Sequence, residues 1–170
     1  MRFDSGQGKV INFCASPGKR ILPMKTAALT SSQDAAWLEL RMALWPGASA
    51  VEHQEDMDDQ VASPDRYVQF LVRSDHGQAL GLAEASIRTD YVNGTDSSPV
   101  AFLEGLYVIP EARQQGAARA LVAAVRAWAR DRGCKELASD TALDNAVSQA
   151  AHSRLGFKET ERVVYFKMPL

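Results

Sequence analysis

A chain of 170 residues with 46% hydrophobic residues has the size and apolar content of one domain with its own core. Its 21 acidic against 19 basic residues leave a net charge of −2, which excludes the broadly basic surface of a nucleic-acid-binding protein. No run approaches the roughly 18 apolar residues of a membrane span, the N-terminus lacks a signal peptide's apolar core, and Cys14 and Cys134 have neither metal nor redox spacing, so they read as reduced thiols of a cytoplasmic protein.

Residues 1–19, rich in Gly, Ser and Lys, form an N-terminal extension that is either a disordered arm or an added strand around Val10–Phe13; the main domain runs from 20 to 170. Arg20–Lys25 reads as a first strand, placed at an edge by Pro23. Thr30, with Gln33 three residues on, predicts a capping box for a helix whose Trp37, Leu40, Arg41 and Leu44 share a face and which Pro46-Gly47 ends. Val51–Gln60 carries five carboxylates and no Lys or Arg, either a solvated helix face or a negative lip for a polycation. Tyr67–Arg73 and Ala79–Arg88 form a hairpin about Ser74–Gly77, and Thr89–Ser98 is a polar loop containing the turn Asn93-Gly94.

Val100–Val108 is a nearly all-apolar strand that carries one carboxylate, Glu104, and Pro110 follows it. The loop Arg113–Ala118 opens a helix from about Gly116 to Arg130, with Ala118, Leu121, Val122, Val125 and Trp128 on one face, Arg119, Arg126 and Arg130 on another, and Gly133 as its stop. This is either an ordinary strand-turn-helix or a pyrophosphate cradle built from loop amides and the positive end of the helix dipole. Glu136–Asp140 is a short strand; Asp144 caps a helix from Asn145 to Leu155, and Gly156 closes it. Phe157–Glu161 and Arg162–Met168 are the final strands, the last apolar enough for a sheet or a subunit interface. The order of elements predicts an α+β (mixed α/β) fold, a twisted mixed sheet with helices on both faces and the 100–108 strand at its centre.

Glu104 interrupts its strand just before Gly105, and a carboxylate on a buried strand is expensive without a task or a partner. It is therefore either a proton acceptor or one half of a structural ion pair. Asp140 ends the adjacent strand, so it is expected to open into the same cleft.

Arg113-x-x-Gly116-x-Ala118 after Val-Ile-Pro, with Asn145 and Leu155-Gly156-Phe157 downstream, resembles the acetyl-CoA motif of the GCN5-related N-acetyltransferases (GNAT). The run Ser86–Pro99, then Phe102-Leu-Glu-Gly105, together with Leu44-Trp45-Pro46 and Ala138–Thr141, resembles the aminoglycoside 6'-N-acetyltransferases over about residues 20 to 168. The resemblance implies the acyl-CoA N-acyltransferase fold, acetyl-CoA as cosubstrate without a metal, an aminoglycoside acceptor attacking directly in a ternary complex, and a homodimer. It implies that Leu106, Tyr107 and Val108 offer backbone groups to the pantetheine arm, that Gln114, Gln115, Gly116, Ala117, Ala118 and Arg119 wrap the pyrophosphate, and that Asn145 also contacts CoA. Glu104 and Asp140 would hold acceptor ammonium groups, with Glu104 taking a proton, and Trp45, Tyr91 and Glu161 would line the acceptor site. Trp45 also fits a core aromatic at a helix end. His152 stands where many superfamily members have a Tyr that protonates the leaving thiolate; it reads as an alternative acid or as a histidine on a helix surface. Cys134 reads as structural. A transferase acting on a polyamine or a protein N-terminus, and a non-catalytic acyl-CoA-binding regulator, share these features.

Overall fold

Among the described residues five strands form one sheet in the order β1-β2-β3-β4-β5: β1 (Met24–Ala28), β2 (Tyr67–Ser74), β3 (Ala79–Arg88), β4 (Val100–Val108) and β5 (Leu137–Ala138). The computed structural model describes residues 23–169, so the extension expected at 1–19 and the start of the strand expected at Arg20 lie outside the described residues. The first four strands are antiparallel, and β5 joins β4 in parallel through Ala101↔Leu137 and Phe102↔Ala138. The β2–β3 hairpin and β4 fall where alternation and turn residues place them, and β1 holds the edge position that Pro23 foretells.

Helices cover both faces, as expected. On one side α3 (Ala117–Asp131) lays Leu121, Val122, Val125 and Trp128 against Val68, Val72, Ala83 and Leu103. On the other, α1 (Ala35–Leu44) and α2 (Ala50–Ala62) enclose Trp37, Leu40, Met57, Leu71 and Leu82. No helix among the described residues is long and apolar enough to cross a membrane.

The start of α1 differs from expectation. Thr30 does not cap α1: the Asp34 carboxylate accepts from the amides of Ala36 at 3.0 Å and Trp37 at 3.2 Å, and Arg73 holds it at 2.7 Å. A charged acceptor inside the turn displaces a hydroxyl four residues earlier. The capping box belongs instead to α2, where Ser49 and Glu52 satisfy each other's backbone amides.

The C-terminal part departs more. The final strands expected at Phe157–Glu161 and Arg162–Met168 are not formed, and every residue from 158 to 169 is exposed, Phe166 at 94%. A two-stranded element needs a layer to pack on, and β5, two residues long, supplies little edge. Its neighbour α4 (Ala146–Leu155) buries no residue.

Candidate functional site

The site begins with an irregularity in the β3–β4 ladder. Glu84 pairs with Gly105 and Ala85 with Leu103, which leaves Glu104 as an extra residue on β4. The bulge turns its side chain outward, so Glu104 is exposed, unlike the rest of the strand's first half. The Ser86 hydroxyl donates to Glu104 Oε1 at 2.5 Å. The Arg88 guanidinium grips the carboxylate as a fork, with Nη2 at 2.8 Å from Oε2 and 3.0 Å from Oε1 and Nε at 3.3 Å from Oε1. Arg88 also lies 3.5 Å above the centre of the Phe102 ring. In this state Glu104 is half of an ion pair.

Trp45 adjoins it. It ends α1, its amide donating to Arg41 O at 2.8 Å, and its own carbonyl accepts from His53 Nε2 at 3.1 Å. The indole rests on Gly105, where a Cβ would come within 2.6 Å of two ring carbons. Gly105 thus serves close approach as well as the bulge.

Behind these residues lies a second carboxylate that sequence reasoning missed. Glu84 is 2% exposed and accepts from Trp37 Nε1 at 2.6 Å and Gln60 Nε2 at 3.2 Å, with Arg41 Nη1 at 3.4 Å. Burial pushes its pKa above the ordinary carboxylate range, against the Arg41 charge and the two donors. Arg41 spans the carboxylates, its Nη2 reaching Asp56 at 2.9 Å. The signal was available: Glu84 interrupts an apolar strand just as Glu104 does.

Two grooves open beside this core. One, of about 800 Å³, is bordered by Trp45, Asp56, Asp59, Arg88 and Glu104. The other, of about 940 Å³, is bordered by Arg88, Tyr91, Phe102, Asp140 and Glu161. Both are within the size range of small-molecule sites. Glu104 and Asp140 therefore do not share one groove as expected. The strand expected at Glu136–Asp140 is only Leu137–Ala138, so Asp140 lies two residues beyond β5, whose pairing with β4 ends at Phe102 and Ala138, and Arg88 borders both spaces. Asp140, Tyr91 and Glu161 are all exposed, Tyr91 at 76%. Of the acidic run at 52–59, Asp56 and Asp59 border a groove. Glu52 serves the helix cap, and the Ser49 amide and hydroxyl hold its carboxyl below the usual range.

The loop before α3 has the form of an anion cradle. Gln114 has φ 59 and Gly116 φ 96, and Gly116 stands at the N-cap of α3 without a side-chain cap. A Cβ at Gly116 would meet only Met24 Cε at 3.9 Å, so the glycine is required by its left-handed backbone and not by crowding from the protein. Gln115 Nε2 donates to Glu111 O at 2.6 Å; Ala117 is buried, Ala118 half-buried and Arg119 exposed. Arg113 Nε donates to Val108 O at 3.1 Å and ties the loop to β4. Because β5 ends at Ala138, no strand among the described residues pairs with Leu106, Tyr107 and Val108 on that side of β4.

Asn145, and not Asp144, caps α4, its Oδ1 accepting from Ser148 N at 3.0 Å. His152 is half-buried: Nδ1 lies 2.8 Å from Ser148 O and Nε2 3.0 Å from Ser139 Oγ, which donates to Leu103 O at 3.1 Å. It is thus a fixed ring at the parting of β4 and β5, not a solvated surface histidine. Cys134 is buried, and burial pushes its thiol up. Among the described residues no group of three or more His, Cys, Asp or Glu is placed to hold a metal ion.

Comparison with known proteins adds to this geometry. Residues 35–157 match the acetyltransferase (GNAT) family model. The chain is 50% identical over 141 residues, 83% of its length and 90% of the relative's, to the aminoglycoside N(6')-acetyltransferase type 1 of Stenotrophomonas maltophilia. It is 50% identical over 144 residues, 85% and 97% of the two chains, to the enzyme of that name from Acinetobacter baumannii. The solved structure of AAC(6')-Iy in complex with the bisubstrate analogue CoA-S-monomethyl-acetylneamine superposes with a TM-score of 0.82 at 44% identity, covering 87% of this chain and 99% of that one.

Proposed function

The chain belongs to the acetyltransferase (GNAT) family, and on that premise we propose that it is an aminoglycoside 6'-N-acetyltransferase, which moves the acetyl group of acetyl-CoA to the 6'-amino group of aminoglycoside antibiotics and so confers resistance. The observation that carries this reading is the 50% identity to enzymes of that name over more than four fifths of the chain. The groove geometry supports it, since Asp56, Asp59, Glu104, Asp140 and Glu161 give an acceptor bearing several ammonium groups several partners.

Acetyl-CoA supplies an activated thioester. The first-turn amides of α3, with Gln114–Arg119, suit its pyrophosphate, and the open edge of β4 at Leu106–Val108 suits its pantetheine amides. Asn145 retains its side-chain amide N–H groups as donors beside its cap. The acceptor nitrogen must be neutral to attack; a proton leaves the ammonium and one reaches the departing thiolate as the C–S bond breaks. Glu104 takes the first, directly or through water. Both substrates bound together let the amine attack without a covalent enzyme intermediate. Trp45 and Tyr91 supply flat apolar walls, and Asp140 and Glu161 anchor remote ammonium groups.

The same reading takes residues 20–170 as the catalytic domain, acting in the cytoplasm as a homodimer. Exposed Val163, Val164, Tyr165 and Phe166 support the dimer, and light scattering that gave a monomer mass across concentrations would remove it. The activity is tested by thiol release from acetyl-CoA with a panel of aminoglycosides and polyamines, in wild type, Glu104→Gln and Asp140→Asn. Turnover of aminoglycosides is expected, with kcat reduced on the order of 10²-fold in Glu104→Gln and mainly acceptor KM raised in Asp140→Asn. Polyamines outperforming every aminoglycoside in kcat/KM would overturn the acceptor assignment.

A further inference from the structure

The geometry points to Arg88 as a resident cation that occupies the acceptor's place on Glu104, so that an amine binds by exchange with it and gains net affinity only where further ammonium contacts add to the exchange. The inference rests on the reading of Glu104 as an ammonium partner.

Three observations carry it. First, the guanidinium makes three contacts of 2.8 to 3.3 Å with the two Glu104 oxygens, and Ser86 adds a hydroxyl at 2.5 Å. A carboxylate so occupied has little left to offer an incoming ammonium. Second, the clamp is exposed enough to open: the Arg88 and Glu104 side chains are 34% and 33% exposed. Phe102 gives the guanidinium a flat face at 3.5 Å on which to stay when it lets go. Third, Arg88 borders both grooves, Trp45 and Glu104 lying on one and Tyr91, Asp140 and Glu161 on the other. An acceptor that reaches both carboxylate sets must pass Arg88.

This threshold follows from the arithmetic of exchange. A monoamine that displaces Arg88 replaces one ion pair with another and gains little. A polycation breaks the same pair but adds contacts with Asp140, Glu161, Asp56 or Asp59, so its balance is favourable.

The test is calorimetric binding of a kanamycin-class aminoglycoside, spermidine and methylamine to wild type, Arg88→Gln and Arg66→Gln, with acetyl-CoA KM measured alongside. Arg66 borders the same groove but stacks on Tyr67 and does not touch Glu104, so its substitution controls for the loss of a positive charge alone. In Arg88→Gln the polycations and methylamine are expected to bind tighter by a similar factor, about three- to tenfold, from loss of the one competing ion pair that each must break. Acetyl-CoA KM should hold. Weaker or unchanged amine binding in folded Arg88→Gln, or an equal gain in Arg66→Gln, overturns the inference. Wild type that binds amines but releases no thiol with any aminoglycoside overturns the proposed activity, and the binding comparison still decides the role of Arg88.

Discussion

Glu84 and Glu104 sit on neighbouring strands beside the same ladder irregularity, and each faces an arginine. Glu84 is enclosed by α1 and α2, and its partners are the buried Trp37 and Arg41, the latter 4% exposed, and the half-buried Gln60. Glu104, lifted by the bulge, meets Arg88 where both are one third exposed. Leu82, Glu84, Ser86 and Arg88 alternate along β3 and so share one face, which runs from the core outward to solvent. The same chemical pair is a fixed part of the structure at one end of that face and an exchangeable clamp at the other. Burial, more than residue type, separates the two roles.

The largest expected effect tests that separation. Arg41→Met leaves Glu84 and Asp56 without their shared cation and is expected to lower unfolding free energy by about 3 kcal/mol or more, the usual result of stranding a buried charge. Arg88→Gln is expected to lower it by less than about 1 kcal/mol, as for exposed pairs. Urea denaturation of both variants reads the difference, and an Arg88 variant that proved the less stable would break the comparison.

A middle-sized effect concerns the wall that both clusters share. A methyl group at Gly105 would strike Trp45 at 2.6 Å and Leu44 Cδ2 at 2.8 Å. Gly105→Ala is expected to cost about 1–3 kcal/mol by overpacking and to raise acceptor KM through displacement of Trp45, with acetyl-CoA KM nearly unchanged. Equal rises in both constants would show that the bulge as a whole had collapsed.

How far the chain can be read without coordinates follows the same divide. β2, β3, β4 and α3 are legible because alternation, turn residues and a 3.6-residue apolar stripe each report burial against a layer. Trp37, Leu40, Arg41 and Leu44 share a face by their spacing; the first three are buried and Leu44 is half-buried. What sequence alone leaves open is set by contacts between distant residues. Glu104 reads as a base or as an ion-pair member, and its pairing with Arg88, 16 residues away, depends on the bulge register. Asp34 takes the cap from Thr30 because Arg73 on β2 holds its other oxygen. The apolar tail at Val163–Phe166 has strand composition, but a strand also needs an edge and a layer, and β5 offers two residues.

The smallest expected effect is a pH dependence that distinguishes the buried carboxylate from the exposed ones. Burial raises the pKa of Glu84 in the folded state above its unfolded value, so between the two values the folded protein holds the extra proton. Stability from this group is present below the ordinary carboxylate range and is lost as pH rises through it toward the raised folded value. Glu136 has the opposite sign: the Ser97 hydroxyl and the Asp96 and Ser97 backbone hold its carboxyl low, so its contribution is present above the ordinary range and lost as pH falls below it. Thermal unfolding of wild type and Glu84→Gln from about pH 4 to pH 8 separates the two. Glutamine keeps an acceptor for Trp37 Nε1 but carries no proton to exchange. Its unfolding temperature, taken relative to wild type, should therefore rise with pH above about pH 4.5, while below that both proteins lose stability together through Glu136. Curves that stayed parallel throughout would mean that Arg41 and the two donors fully offset burial and that Glu84 is an ordinary carboxylate held by its partners.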